Sequence, residues 1–170
     1  MTSPGQCIAV ASGKGGTGKT TSLRGVLALF DALGLETALA APTGRAAKRL
    51  GDLCGVEAAT IHRLLETQFD PGTGRLVFAH DESEPLRADA VIVDETSMVD
   101  IALMRALLSA LRSDCRLVLV GDPDQLPSVG PGNLFSDLIR SGRIATVGPT
   151  EIFRQAAQSG IVMNAHGVNR

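Results

Sequence analysis

Residues 12–21 read Ser-Gly-Lys-Gly-Gly-Thr-Gly-Lys-Thr-Thr, and no other stretch restricts the fold so tightly. Gly13, Gly18, Lys19 and Thr20 satisfy the phosphate-loop pattern of two spaced glycines followed by Lys and Ser or Thr. The apolar run Cys7–Ala11 ahead of it reads as a buried strand, and Leu23, Val26, Leu27 and Phe30 behind it sit at helical spacing. A strand, a glycine-rich turn and a helix set backbone N–H groups and a helix N-terminus around one anion. Gly13, Gly15, Gly16, Thr17, Gly18, Lys19, Thr20 and Thr21 are therefore candidates to hold a nucleoside triphosphate. Lys19 would reach the β- and γ-phosphates, and the Thr20 hydroxyl would ligate Mg²⁺.

Four further apolar runs read as strands: Thr37–Ala41, Ala90–Val93, Leu117–Val120 and Ile144–Val147. Between them Arg45–Leu53, Ile101–Leu111 and Asn133–Ile139 have helical patterns, the second with Leu103, Leu107, Leu108 and Leu111 on one stripe. Strands buried on both faces and alternating with helices imply an α/β fold, a mostly parallel sheet with right-handed crossovers and helices on both faces. The segment 66–85 breaks the alternation. Its turn signal Asp70-Pro71-Gly72-Thr73-Gly74 lies between Gln68-Phe69 and Leu76-Val77-Phe78, which predicts a small β-hairpin insertion in an otherwise single domain, 1–170. The last stretch, 155–170, starts a helical pattern and then turns polar.

Ala90–Val93 runs straight into Asp94-Glu95. In parallel sheets ligands sit at the carboxyl ends of strands, which puts both carboxylates beside the phosphate loop. Asp94 is the candidate to hold Mg²⁺, directly or through water, and Glu95 the candidate general base. The run Leu119–Pro127 leaves another strand end, where Gln125 can touch a γ-phosphate or its attacking water.

Several blocks occur together in a fixed order: Ala41–Leu50, Thr60–Leu65, Val91–Asp100, Gly121–Gly132 and Glu151–Gln155. In that order the chain resembles the RecD-like helicases of superfamily 1 over nearly its whole length. The resemblance implies the first RecA-like, P-loop motor domain of an ATP-driven 5′→3′ DNA helicase with ATP and Mg²⁺ as cofactors, of the kind that serves DNA repair and recombination. Conjugative relaxase helicases share similar blocks. Pro42, Thr43, Gly44, Arg45, Lys48 and Arg49 match the motif that lines the single-strand channel, and Thr60, His62 and Arg63 match a neighbouring DNA-contacting motif. The hydroxyls, the Gly44 backbone and the basic side chains can all donate to phosphates. His62 is equally readable as a buried structural histidine. Phe153 and Arg154 match the motif in which an aromatic ring stacks on adenine and an arginine contacts the γ-phosphate, so Arg154 joins Lys19, Glu95 and Gln125 as a catalytic candidate. The hairpin at 66–85 falls where the family carries a strand-separating insertion.

The chain departs from that family in its loop, where Lys14 stands in place of a glycine. Lys14 resembles the extra lysine of ParA/MinD partition ATPases, which makes such a dimeric switch one rival reading. Glu95 directly after Asp94 and the Gly121–Pro127 block oppose it. A non-catalytic module that holds nucleotide or DNA is the second rival. Gln6 lies too near the loop for the family's adenine-reading glutamine. The chain stops before the second RecA-like domain, so it is expected to be incomplete as a helicase, a single-strand-binding monomer without unwinding activity of its own.

Bulk properties agree with a soluble domain. The sequence is 44% hydrophobic and 20% charged with a net charge of −2, so DNA binding has to come from a local patch. No apolar stretch approaches the ~20 residues of a membrane span. Cys7, Cys54 and Cys115 are scattered among apolar residues and read as buried thiols of a reducing compartment, the cytoplasm.

Overall fold

The run Ala90-Val91-Ile92-Val93 has no polar position, and none of its four side chains reaches solvent. A strand apolar on both faces needs cover on both, which a parallel sheet between helices supplies. The computed structural model, which describes residues 7–11, 16–72, 74–125 and 132–148, has that arrangement. Along the chain come β1 (Cys7–Ala11), α1 (Gly16–Ala32), β2 (Thr37–Ala41), α2 (Gly44–Cys54), β3 (Ala58–Thr60), α3 (Ile61–Leu64), β4 (Thr67–Asp70) and β5 (Arg75–Phe78). They are followed by β6 (Ala90–Val93), a single 3₁₀ turn (Thr96–Met98), α4 (Ile101–Ser109), β7 (Arg116–Gly121), α5 (Leu134–Arg140) and β8 (Ala145–Val147). Among the described residues six strands form one sheet in the order β3-β2-β6-β7-β1-β8, with every neighbouring pair parallel.

Alternation along the strands sorts the core into two layers. Val91 and Val93 of β6, Leu117 and Leu119 of β7, Ala9 and Ala40 face one side, under Ile61, Met104, Leu107 and Phe135 of α3, α4 and α5. Ala90, Ile92, Val118, Val120 and Leu39 face the other, under Leu23 and Phe30 of α1 and Leu50 of α2. Each large side chain so buried contributes roughly 1.5–3 kcal/mol. The helices begin on side-chain caps. Thr43 Oγ1 accepts from Ala46 N, Thr60 Oγ1 from Arg63 N, and Asp100 Oδ1 from Leu103 N at 2.7 Å.

The α/β fold with helices on both faces is the one the sequence implied. β3 is new. Ala58-Ala59-Thr60 is too short and too weakly apolar to announce a strand, and it is one only because it pairs with Leu39–Ala41 of β2. The hairpin is present as β4 and β5, with Gln68 opposite Val77 and Phe69 opposite Leu76. Gly74, at the end of its turn, has a φ of +68°, which glycine adopts without strain. The pattern read as a helix over Ile101–Leu111 closes at Ser109, where the backbone N–H of Ala110 turns back onto Ala106, Leu107 and Leu108. The tail at 155–170 lies outside the described residues. Cys115 is buried, Cys7 and Cys54 are half-buried, and burial raises all three thiols above their ordinary pKa. No described helix is long and apolar enough to cross a membrane.

Gly121 closes β7 directly beneath Phe135. A Cβ there would lie 2.9 Å from Cε1 of a ring that is 1% exposed. Gly121→Ala is expected to cost about 1–3 kcal/mol through overpacking. The measurement is a urea titration, in which the midpoint falls while the slope stays constant. An unchanged midpoint would mean that the ring slides away freely.

Candidate active site

Because the sheet is parallel, β1, β2, β3, β6 and β7 all end at one edge. Ala11 pairs with Gly121, Ala41 with Thr60, and Ala40 with Val93. Whatever follows these residues is gathered there: Pro42–Gly44 after β2, Ile61–Arg63 after β3, Asp94-Glu95 after β6 and Asp122–Gln125 after β7. α1 starts five residues after the last residue of β1.

The exit from β6 is held rigidly. Asp94 N donates to Ala40 O at 3.0 Å, which carries the β2–β6 ladder one residue past the strand. The Asp94 carboxylate is half-buried, and its Oδ1 accepts from Glu95 N at 2.8 Å. Glu95 is left-handed, with φ 53° and ψ 39°, a conformation that costs a non-glycine residue about 1–2 kcal/mol. The turn that imposes it is anchored from beneath. Thr96, completely buried, donates through Oγ1 to Val93 O at 3.0 Å, and Met98 N donates to Glu95 O at 3.0 Å.

The exit from β7 is pinned likewise. Asp122 is buried and its Oδ1 accepts from Asp124 N at 3.0 Å, while Gln125 N donates to Asp122 O at 3.2 Å. Ser97, itself buried, donates from Oγ to Gln125 Oε1 at 3.3 Å and so joins the two exits. Neither Ser97 nor Asp122 stood out in the sequence. Their one signal is position, within four residues of a strand end.

A cavity of about 280 Å³ opens at this edge. Thr43, Arg45 and Arg49 line it from the α2 side, and Asp94, Glu95, Met98 and Gln125 from the strand exits. Residues from two separate candidate groups, one for nucleotide and one for DNA, thus share a single cavity. Lys48, Thr60, His62 and Arg63 do not line it. Lys48 is exposed on α2, and Arg63 is exposed and 3.7 Å from Glu57. His62 is exposed too, so the reading of it as a buried histidine is wrong. Its ring lies 6.0 Å from that of Phe78 in β5, a contact made between α3 and the hairpin and not within the core. Gly16, Thr17, Gly18, Lys19, Thr20 and Thr21 form the opening of α1. Gly13 and Gly15, with Lys14, lie outside the described residues, as do Phe153 and Arg154.

This donor set fits a triphosphate with Mg²⁺. A 17-residue helix starts at the sheet edge where Asp94 emerges, and the helix N-terminus favours an anion. Asp94 retains Oδ2 beside the oxygen that Glu95 N engages, and carboxylate and hydroxyl oxygens are the ligands Mg²⁺ takes.

A parallel sheet in this order, with a phosphate-loop sequence between β1 and α1 and an Asp-Glu pair leaving β6, defines a RecA-like nucleotide-binding domain. A family profile described as an AAA domain matches residues 1–169, and the chain belongs to that family. Among its relatives it is 44% identical over 164 residues to the ATP-dependent RecD2 DNA helicase of Deinococcus radiodurans, a match that covers 96% of this chain and 22% of that one. It is 41% identical over 157 residues to the RecBCD enzyme subunit RecD of Mycolicibacterium smegmatis, covering 79% and 28%. It is 37% identical over 123 residues to the ATP-dependent DNA helicase dda of Enterobacteria phage T4, covering 71% and 28%. The chain spans about a quarter of the length of these relatives.

The strain at Glu95 has a measurable consequence. Glu95→Gly relieves the left-handed penalty and adds backbone freedom to the unfolded chain, so the two effects largely offset. Stability is expected to stay level or rise by up to about 1 kcal/mol even though the carboxylate is gone. Thermal unfolding by circular dichroism checks this, and a clear fall in Tm would mean that the Glu95 side chain holds the turn together.

Proposed function

We propose that this domain binds and hydrolyses ATP as the first motor unit of a RecD-like helicase that moves 5′→3′ along single-stranded DNA. One observation supports the reading above the others. The cavity at the sheet edge has a carboxylate-and-amide wall made by Asp94, Glu95 and Gln125, and a guanidinium-and-hydroxyl wall made by Arg45, Arg49 and Thr43. The first wall suits a phosphate under attack by water, and the second suits a nucleic-acid backbone.

In this reading the phosphates lie at the N-terminus of α1, where backbone N–H groups and Lys19 offset their charge. Thr20 and Asp94 would hold Mg²⁺, which would supply Lewis-acid stabilisation of phosphate charge. Glu95 accepts the proton of the attacking water as general base. Its left-handed backbone fixes where that carboxylate starts, so little reorganisation is needed at the moment of attack. Gln125 meets the γ-phosphate from the end of β7. Arg154 stabilises charge that develops in the transition state, and Phe153 stacks on the base. The DNA backbone runs over the N-termini of α2 and α3, where Thr43, the Gly44 N–H, Arg45, Lys48, Arg49, Thr60, His62 and Arg63 present donors. Translocation requires a second motor unit that opens and closes against this one.

Glu95→Gln is the direct test of hydrolysis. The amide keeps the shape and loses the basicity, so affinity for a fluorescent ATP analogue is expected to hold while phosphate release at saturating nucleotide and DNA falls roughly 10²–10⁴-fold. Where turnover requires the second motor unit, the same comparison is made with that unit present. Unchanged phosphate release would remove Glu95 from the mechanism.

The DNA assignment is tested by salt. With three or four phosphates neutralised at ~0.7 each, log K for single-stranded DNA should fall against log salt with a slope of about −2 to −3. Changing Arg45 and Arg49 together to Ala should flatten that slope by about one unit or more and leave binding of the ATP analogue intact. An unaltered slope would mean that the DNA path lies elsewhere on the domain.

A further inference from the structure

Ser97 has no place in the scheme above, yet it forms the one side-chain hydrogen bond that ties the exit of β6 to the exit of β7 among the described residues. It is 5% exposed, and the 3₁₀ turn that carries it is fixed by Thr96 Oγ1 on Val93 O and by Val99 N on Thr96 O. Gln125 is exposed, with its backbone N–H on Asp122 O, so a free glutamine there would sample several rotamers. The Ser97 hydroxyl donates to Oε1 of that side chain at 3.3 Å. A primary amide has one acceptor end and one donor end. With the acceptor end engaged by Ser97, the two N–H groups are what Gln125 offers to the cavity that it lines.

We propose that Ser97 is a positioning residue, whose hydroxyl orients the Gln125 amide so that it presents donors, and not its carbonyl oxygen, to a γ-phosphate. The inference rests on the reading of this edge as a triphosphate site. It assigns Gln125 to the phosphate and not to the attacking water. It also makes the Asp94–Met98 turn responsible for sensing at the end of β7. A diphosphate lacks the group that Gln125 meets, so Ser97 governs the preference for triphosphate over diphosphate and leaves diphosphate affinity alone.

The experiment titrates a non-hydrolysable ATP analogue and ADP, each with Mg²⁺, against the unaltered chain, Ser97→Ala, Ser97→Thr, Gln125→Ala and the double variant Ser97→Ala with Gln125→Ala. ADP affinity should stay constant throughout. The triphosphate preference should fall about three- to tenfold in Ser97→Ala, the size of one neutral hydrogen bond, and by a similar factor in Gln125→Ala. Ser97→Thr keeps the hydroxyl and should restore the preference. The double variant should lose no more than either single one, because both act through the same contact. A preference retained in Ser97→Ala, or losses that add in the double variant, would overturn the inference. If Ser97→Ala loses the native circular-dichroism spectrum, Ser97→Cys takes its place. It fills nearly the same space with a weak donor, and a preference retained there overturns the inference equally. An unaltered chain that binds neither nucleotide refutes the triphosphate reading itself and takes the role of Ser97 with it. Binding of both nucleotides with an unmoved preference refutes Ser97 alone.

Discussion

Complete burial of β6 on both faces is the constraint from which the candidate site follows. Ala90, Val91, Ile92 and Val93 have no exposure, and each is held by a neighbour strand on either side and a helical layer above and below. An ionised carboxylate cannot continue such a strand, since stripping its hydration costs far more than one buried apolar side chain returns. The chain therefore has to leave the sheet at Asp94. It does so abruptly, through a left-handed residue and a 3₁₀ turn in which the Thr96 hydroxyl satisfies the Val93 carbonyl that the strand leaves behind. The strain at Glu95 is carried by the same packing that buries the strand.

The two ends of the sheet are used differently. At the amino-terminal end, Arg112 bridges Asp89 and Asp114 at 3.0 Å each, and Asp89 also accepts from Glu36 N. The hydrogen bond from Arg112 holds the Asp114 carboxyl below its usual pKa, and the same bond raises the guanidinium. A carboxyl lowered in the folded state adds stability above its unfolded pKa and loses it as pH falls through the folded value, so this staple weakens only in acid. Each of its charges has a partner of opposite sign within the chain. At the carboxyl-terminal end Asp94, Glu95, Arg45 and Arg49 line one cavity with no ion pair among them within 4.0 Å in the described residues. Charges matched internally serve the fold, and charges left facing a cavity are available to a ligand.

In the proposed reading, that cavity brings the nucleotide wall and the nucleic-acid wall together. The two walls need no long relay between them, because the guanidinium groups of α2 and the carboxylates of β6 border the same space. The hairpin is tied to this region through α3, where Thr67 Oγ1 donates to His62 O at 2.8 Å and His62 meets Phe78.

Much of the fold was legible in the sequence because its signals are local. Largely apolar runs marked β1, β2, β6, β7 and β8, although β8, at the sheet edge, is mostly exposed. Turn chemistry marked the hairpin, and Asp94, Glu95 and Gln125 were legible because each lies within a few residues of a strand end. What the sequence could not display depends on pairing across distance. Three weakly apolar residues became β3 only through the β2 backbone. His62 turned outward because Ile61 and Leu65, at the neighbouring helical positions, took the core. Ser97 looked like any turn serine until β7 brought Gln125 to it, 28 residues along the chain. Residue types and their spacing determined which groups would gather at the sheet edge, since a parallel strand delivers its next residue there whatever the rest of the chain does. Which of those groups touch one another was decided by the tertiary structure alone, because strand order and helix placement set distances that no period of two or 3.6 residues contains.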